Sequence, residues 1–345
     1  MKRVISLVLA LTAAGFLFPA DARAGADEEW EAILLLDAGP KQKPRSADEA
    51  GLLARNHFLV QRRALENFLK TRPGDPRAAQ ARIRLADIKA AEGMMDGNRR
   101  AIAEALELFE RVAADPAAGA KDRADAAFRR ASVYMQTISG GPEKNAAAVA
   151  AAAQSFADKF PSDPREARLL AEAATVCDSR PELKRGLLER ALAATREDEI
   201  RLRVTDDLKR LDRLGKPLEL TLPGLDGGTI DVPALRGKPV LLVFWASHSP
   251  QSLLWLRDFR QAFEKLPAGS LRVVTFNLDP SRQEARKRAQ ALNADWPTAW
   301  EPGGWDAPTA RALGINALPT VWFIDKDGNL RSLNAKSNWR SLIGG

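Results

Sequence analysis

The chain has 345 residues, 45% hydrophobic and 28% charged, a globular composition of two-domain length that excludes collagen-like, coiled-coil and wholly disordered classes. One cysteine, Cys177, and two histidines, His57 and His248, exclude a disulfide scaffold and leave no set for a cysteine- or histidine-built metal site, so no metal and no cofactor is expected. The net charge of +7 is spread along the chain without the basic stripe of a nucleic-acid binder.

Lys2 and Arg3 precede an apolar run from Val4 to Phe18, and Ala22-Arg23-Ala24 comes next, before Gly25. A positive start, an apolar core and an A-x-A site predict a cleaved signal peptide over residues 1–24. The run is shorter than the roughly 20 residues of a membrane-spanning helix. No cysteine stands near the cleavage site, so there is no lipobox, and no later stretch is long and apolar enough to span a bilayer. The expectation is an exported chain, in the periplasm or an equivalent oxidising compartment, where Cys177 has no partner in its own chain.

Residues 25–214 are rich in Ala, Leu, Arg and Glu, which predicts helices throughout. Asp75-Pro76, Asp115-Pro116 and Asp163-Pro164 each read as a helix start, with Asp as cap and Pro in the first turn. Phe68, Phe109 and Phe156 precede them by six or seven residues, and apolar stripes such as Ile83, Leu85, Ile88 and Leu169, Ala173, Val176 lie behind them. The unit of helix, short turn and capped helix resembles degenerate tetratricopeptide-type repeats, with a longer and less even period. Such an array offers a concave surface to a protein or peptide partner, or serves as a spacer for the next domain. The alanine-rich Ala146–Ala153 segment suits close helix packing, and the apolar setting of Cys177 points to a buried thiol rather than a reactive one.

The pattern turns to β after Gly215-Lys216-Pro217. Leu218–Leu222 and Thr229–Val232 read as strands around the turn Asp226-Gly227-Gly228. Val240–Trp245 is a continuous apolar run of the kind that forms a strand covered on both faces. Pro250–Lys265 has helical spacing, Leu271–Asn277 reads as a second buried strand, and Ser281–Leu292 as a charged helix. Thr320–Ile324 and Leu330–Leu333 are strands on either side of the turn Lys326–Asn329. The fold class is therefore an all-α helical-repeat domain succeeded, over residues 215–345, by an α/β domain.

Phe244-Trp245-Ala246-Ser247-His248-Ser249-Pro250-Gln251-Ser252 resembles the active-site segment Phe-Trp-Ala-Ser/Thr-Trp-Cys-x-x-Cys of TlpA-like thioredoxins. Gly314–Thr320 resembles the loop that carries that family's cis-proline, which would be Pro319. Ile324-Asp325 with Gly328, and the opening Leu222–Gly228, agree with further family turns. The resemblance implies a thioredoxin-like fold and, by family label, a thiol-disulfide oxidoreductase or a redoxin-type antioxidant. It covers about 130 residues at ordered points.

The site itself departs from the family. Serine stands at both cysteine positions, Ser249 and Ser252, His248 replaces the aromatic before the first, and Trp255 occupies the position of a glutamate common in relatives. Disulfide exchange needs a thiolate and a resolving thiol, which serine does not supply. The reading is a degenerate site with no catalytic residue assigned. The resemblance still implies a groove for a peptide or protein partner, formed by Trp245, His248, Ser249, Pro250, Leu318 and Pro319. Seven of the eight tryptophans lie in this region, where exposed ones would suit binding and those inside strands, Trp245 and Trp322, suit the core. A Ser-His hydrolase is a further alternative. It would need a base within reach of Ser249 and an acid, Asp279, Asp295 or Asp306, to orient His248, and no G-x-S-x-G elbow is present.

Overall fold

The computed structural model describes residues 22–138, 141, 144–292 and 295–343. The apolar run of the expected export signal lies outside the described residues. By compactness the chain divides into two units, residues 1–133 and 134–345.

The first unit is helical. Its elements are α1 (Ala22–Leu36), α2 (Ala47–Thr71), α3 (Ala78–Asp96), α4 (Arg99–Ala114) and α5 (Ala120–Thr137), the last of which crosses the boundary. Local chemistry fixes their ends. The Ser46 hydroxyl accepts from Glu49 N (3.1 Å) to cap α2. Gly97 takes a left-handed φ of 64° to close α3, and the Asn98 side chain accepts from Arg100 N and Ala101 N to open α4. Phe68 packs with Trp30, Leu65 and Leu85, and Phe109 with Ile83, Ala105 and Val112.

The Asp-Pro pairs do not open helices directly. Asp75, Asp115 and Asp163 accept from the backbone N–H two residues on, at 2.8, 2.9 and 2.9 Å. They close Asx turns, and the helices begin three residues later at Ala78 and Glu166, or five later at Ala120. At the two Asp-Pro-Arg sequences the arginine turns back onto its own aspartate: Arg77 Nε lies 2.8 Å and Nη2 2.9 Å from the Asp75 carboxylate, and Arg165 repeats the arrangement on Asp163.

The second unit begins with α6 (Ala146–Lys159), α7 (Glu166–Ala174), α8 (Pro181–Ala194) and α9 (Asp198–Leu211). Phe156, Leu169, Leu170, Leu187 and Leu188 are buried among them. Cys177 is buried too, its Sγ 3.3 Å from Ala173 O, and burial pushes its thiol pKa up.

A short antiparallel hairpin, β1 (Thr221–Pro223) and β2 (Thr229–Asp231), leads into the main sheet. That sheet contains β3 (Val240–Trp245), β4 (Arg272–Asn277), β5 (Thr298–Trp300), β6 (Thr320–Ile324) and β7 (Leu330–Ser332), in the order β5-β4-β3-β6-β7. β3, β4 and β5 are parallel, and β6 and β7 antiparallel to their neighbours. Helices α10 (Pro250–Phe263), α11 (Arg282–Ala291), α12 (Pro308–Ala312) and α13 (Trp339–Ile343) accompany it. Leu242, Phe244 and Trp322 face one core, while Leu241, Val243, Trp245 and Val321 face the other. Covering on both faces is why β3 is apolar at every position. Only Thr221–Pro223 of the region around the expected strand Leu218–Leu222 lies in β1; Leu218 N donates instead to Gly328 O (2.9 Å). No described helix is long and apolar enough to cross a membrane.

Candidate functional site

β3 ends at Trp245 and α10 begins at Pro250, so residues 246–249 form the turn that carries the site. Ser249 is the N-cap of α10. Its backbone is extended (φ −102°, ψ 102°), and its Oγ accepts from Ser252 N at 3.2 Å. The Ser252 hydroxyl donates to the same oxygen at 2.9 Å. Pro250 supplies the fixed φ of the first helical position. Ser252 is wholly buried and Ser249 nearly so, whereas His248 and Pro250 are exposed. Both serine hydroxyls are thus absorbed into capping, and no described imidazole accepts a proton from Ser249.

Asp279 is buried behind this turn. Its Oδ1 accepts from Ser247 N (2.9 Å) and Ser247 Oγ (3.0 Å), and its Oδ2 from Asn277 Nδ2 (2.9 Å). His248 Nδ1 lies 3.4 Å from Oδ1. Of the three candidate acids, Asp279 is the one that stands within ion-pair distance of His248 among the described residues, while Asp306 pairs with Arg311. The cause is the parallel register: Trp245 stands opposite Asn277, so two residues further on Ser247 meets Asp279. The carboxylate holds the turn. With Ser249 bonded to Ser252 and not to His248, the hydrolase arrangement is incomplete.

The Leu318–Pro319 peptide bond is cis, as the family resemblance implied. Thr320, the next residue, pairs with Phe244 across β3 and β6, so the Pro319 loop and the Ser249 turn leave neighbouring strands at one end of the sheet. Thr320 Oγ1 closes the loop on Ala317 O at 2.7 Å. Leu318 is half-buried and Pro319 buried. Trp245, among the expected groove residues, is wholly buried in the core beside Val243 and Leu256, and presents no surface to a ligand. The indole of Trp255 stacks on Phe259 (4.8 Å between centroids, 8° between planes) and donates to Lys336 O (3.1 Å).

The sequence predicts a helix over the α9 segment but carries no sign that it sits against the Pro319 loop. α9 packs on it so closely that a Cβ on Gly314 would meet Asp206 O at 2.9 Å. Asn316 is held by Arg210 Nη1 (2.9 Å) and Asp207 Oδ1 (3.1 Å), and Asn334 donates to Asp178 Oδ2 (2.8 Å). A cavity of about 400 Å³ lies here, with Pro319 and Thr320 in its lining. His248, Ser249 and Pro250 do not line it. Among the described residues no cluster of three or more His, Cys, Asp or Glu could hold a metal ion.

A sequence model of the AhpC/TSA family matches residues 215–333. Solved structures also match part of the chain. A thiol-disulfide oxidoreductase of Bacteroides fragilis is 21% identical, with 36% of this chain and 94% of that one covered, at a TM-score of 0.31. A secreted disulfide oxidoreductase of Mycobacterium tuberculosis is 17% identical (36% and 95% covered, TM-score 0.31). The exposed lipoprotein thioredoxin of Streptococcus pneumoniae is 25% identical (37% and 98% covered, TM-score 0.29). No curated protein matches the chain. Behind an all-helical N-terminal region, the chain thus carries a thioredoxin-like region of the AhpC/TSA type.

Proposed function

We propose that this is an exported protein whose thioredoxin-like region binds a protein or peptide partner without dithiol chemistry, with the helical repeats as a second contact surface or a scaffold. The observation that carries the reading is the pair Ser249–Ser252, bonded hydroxyl to hydroxyl where a redox protein of this family has two sulfurs. A serine hydroxyl is neither ionised near neutral pH nor oxidisable to a disulfide, so attack and resolution both fail. Cys177 does not replace them, because its thiol is buried and its pKa raised.

The test is reduction of a protein disulfide by the purified chain in the presence of dithiothreitol. The expected rate equals the background without protein. Turnover that survives Cys177→Ser would overturn the reading. Turnover that Cys177→Ser abolishes would support the second reading, a thiol-disulfide oxidoreductase or redoxin-type antioxidant working through that one thiol. Export is tested by the mature N-terminus, expected at or near Gly25; a chain in the membrane fraction that still begins at Met1 would show an anchor.

A further inference from the structure

The cavity beside the Pro319 loop has a charge balance that selects its ligand. Two of its acids are already consumed. Asp178 accepts from Lys184 Nζ and Asn334 Nδ2. Asp207 pairs with Arg210 and accepts from Asn316 Nδ2. Those two ion pairs cancel. Two lining cations then remain, Arg203 on α9 and Lys336 in the segment between β7 and α13. Both are exposed, and neither has a carboxylate within ion-pair distance among the described residues. The cavity therefore keeps a surplus of two positive charges on two different walls. A concave site with low-dielectric walls focuses such a field and favours an anion.

Size and shape narrow the class. A volume of about 400 Å³ falls in the range of about 300–1,000 Å³ that takes a drug-sized ligand, several times what a single phosphate fills. Two cations on separate walls match two carboxylates carried along a chain better than one compact anion. The floor is pre-formed. Asn316 is clamped from α9, and the Lys336 backbone is fixed by Trp255 Nε1, so binding orders little of the protein.

We infer that this cleft, walled jointly by α9 and the Pro319 loop, receives an acidic segment of an extended peptide, with Arg203 and Lys336 as the residues that recognise it. The inference rests on reading the region as a peptide-binding module and adds the chemistry of the partner.

The experiment uses the full mature chain and three probes: a fluorescein-labelled peptide of alternating aspartate and glutamate flanked by glycines, its asparagine–glutamine analogue, and inorganic phosphate. Anisotropy reports affinity, and amide hydrogen exchange over 316–320 reports location. The acidic peptide should bind at least tenfold tighter than the neutral one and protect 316–320. Arg203→Glu with Lys336→Glu should weaken it at least tenfold, and Arg203→Ala with Lys336→Ala should weaken it in the same direction. Equal binding of both peptides with protection of 316–320 would overturn the inference and leave the peptide-binding module standing. Binding that the charge reversal does not change would place the peptide elsewhere and overturn it. Phosphate that alone protects 316–320 at the peptide's affinity would overturn it in favour of a small anion. Binding of none of the probes would overturn the inference and count against the module as well.

Discussion

At the scale of single residues, the distance from Ser249 Oγ to Ser252 Oγ, 2.9 Å, is the most informative in the molecule. Two side chains that meet so closely in the first turn of α10 can be bridged. Ser249→Cys with Ser252→Cys should form an intramolecular disulfide under mild oxidation, detected by mass and by tryptophan fluorescence, because Trp245 lies just before the turn. The partial positive charge of the helix N-terminus favours the thiolate. Turnover should stay weak, because Trp255, one turn further along α10, is an indole stacked on Phe259 and cannot transfer a proton. A second residue-scale prediction concerns Asp75. The Arg77 guanidinium beside it holds its pKa down at about 2, against an ordinary value near 4. A carboxylate depressed in the fold stabilises above its unfolded pKa and loses that contribution as pH falls through its folded one. The stability of the first unit against urea should therefore fall as the pH drops from about 4 to about 2, and Asp75→Asn should remove part of that slope.

At the scale of elements, packing decides which substitutions are tolerated. Trp255 is half-buried, stacked on Phe259 and bonded to Lys336 O. Trp255→Ala should cost about 2 kcal/mol, less than the roughly 3–5 kcal/mol of a fully buried aromatic, because part of the ring stays in water. Phe109 is wholly buried on α4, so Phe109→Ala should reach that higher range, read from the denaturant midpoint. Element legibility obeys the same physics. β3 and β6 match the sequence reading at both ends, and α11 differs by one residue at each end, with Ser281 Oγ as its cap. β5, α12 and α13 escaped it. Each is only three to five residues long, too short to show a period. β5 is defined by its parallel pairing with β4, where Thr298 stands opposite Thr275 and their hydroxyls meet at 2.9 Å.

At the scale of the whole molecule, the two compact units have separate apolar cores. One is centred on Phe68 and Phe109, the other on Phe244 and Trp322. Calorimetry should resolve two unfolding transitions. Phe109→Ala should lower one and leave the other in place, and Trp322→Ala should do the reverse. A single transition shifted by both changes would show that the units unfold together. α6–α9 group by compactness with the sheet, although their composition is that of the helices before them. The polar contacts Asp207–Asn316 and Asp178–Asn334 join residues more than 100 positions apart in the chain.

The sequence by itself determined what local chemistry controls. The apolar run of β3, the Ser249 cap with Pro250 behind it and the single cysteine of the chain are all legible, because each is a matter of residue type at short spacing or of composition. The tertiary structure decided what depends on pairing register and on packing between distant segments. Asp279 reaches Ser247 and His248 only because β3 and β4 run parallel with Trp245 opposite Asn277. Trp245 is core rather than groove because strand alternation turns it to the face that α10 covers. The charged cleft at Pro319 arises from α9 lying on the loop, a contact between segments whose sequences carry no local sign of each other.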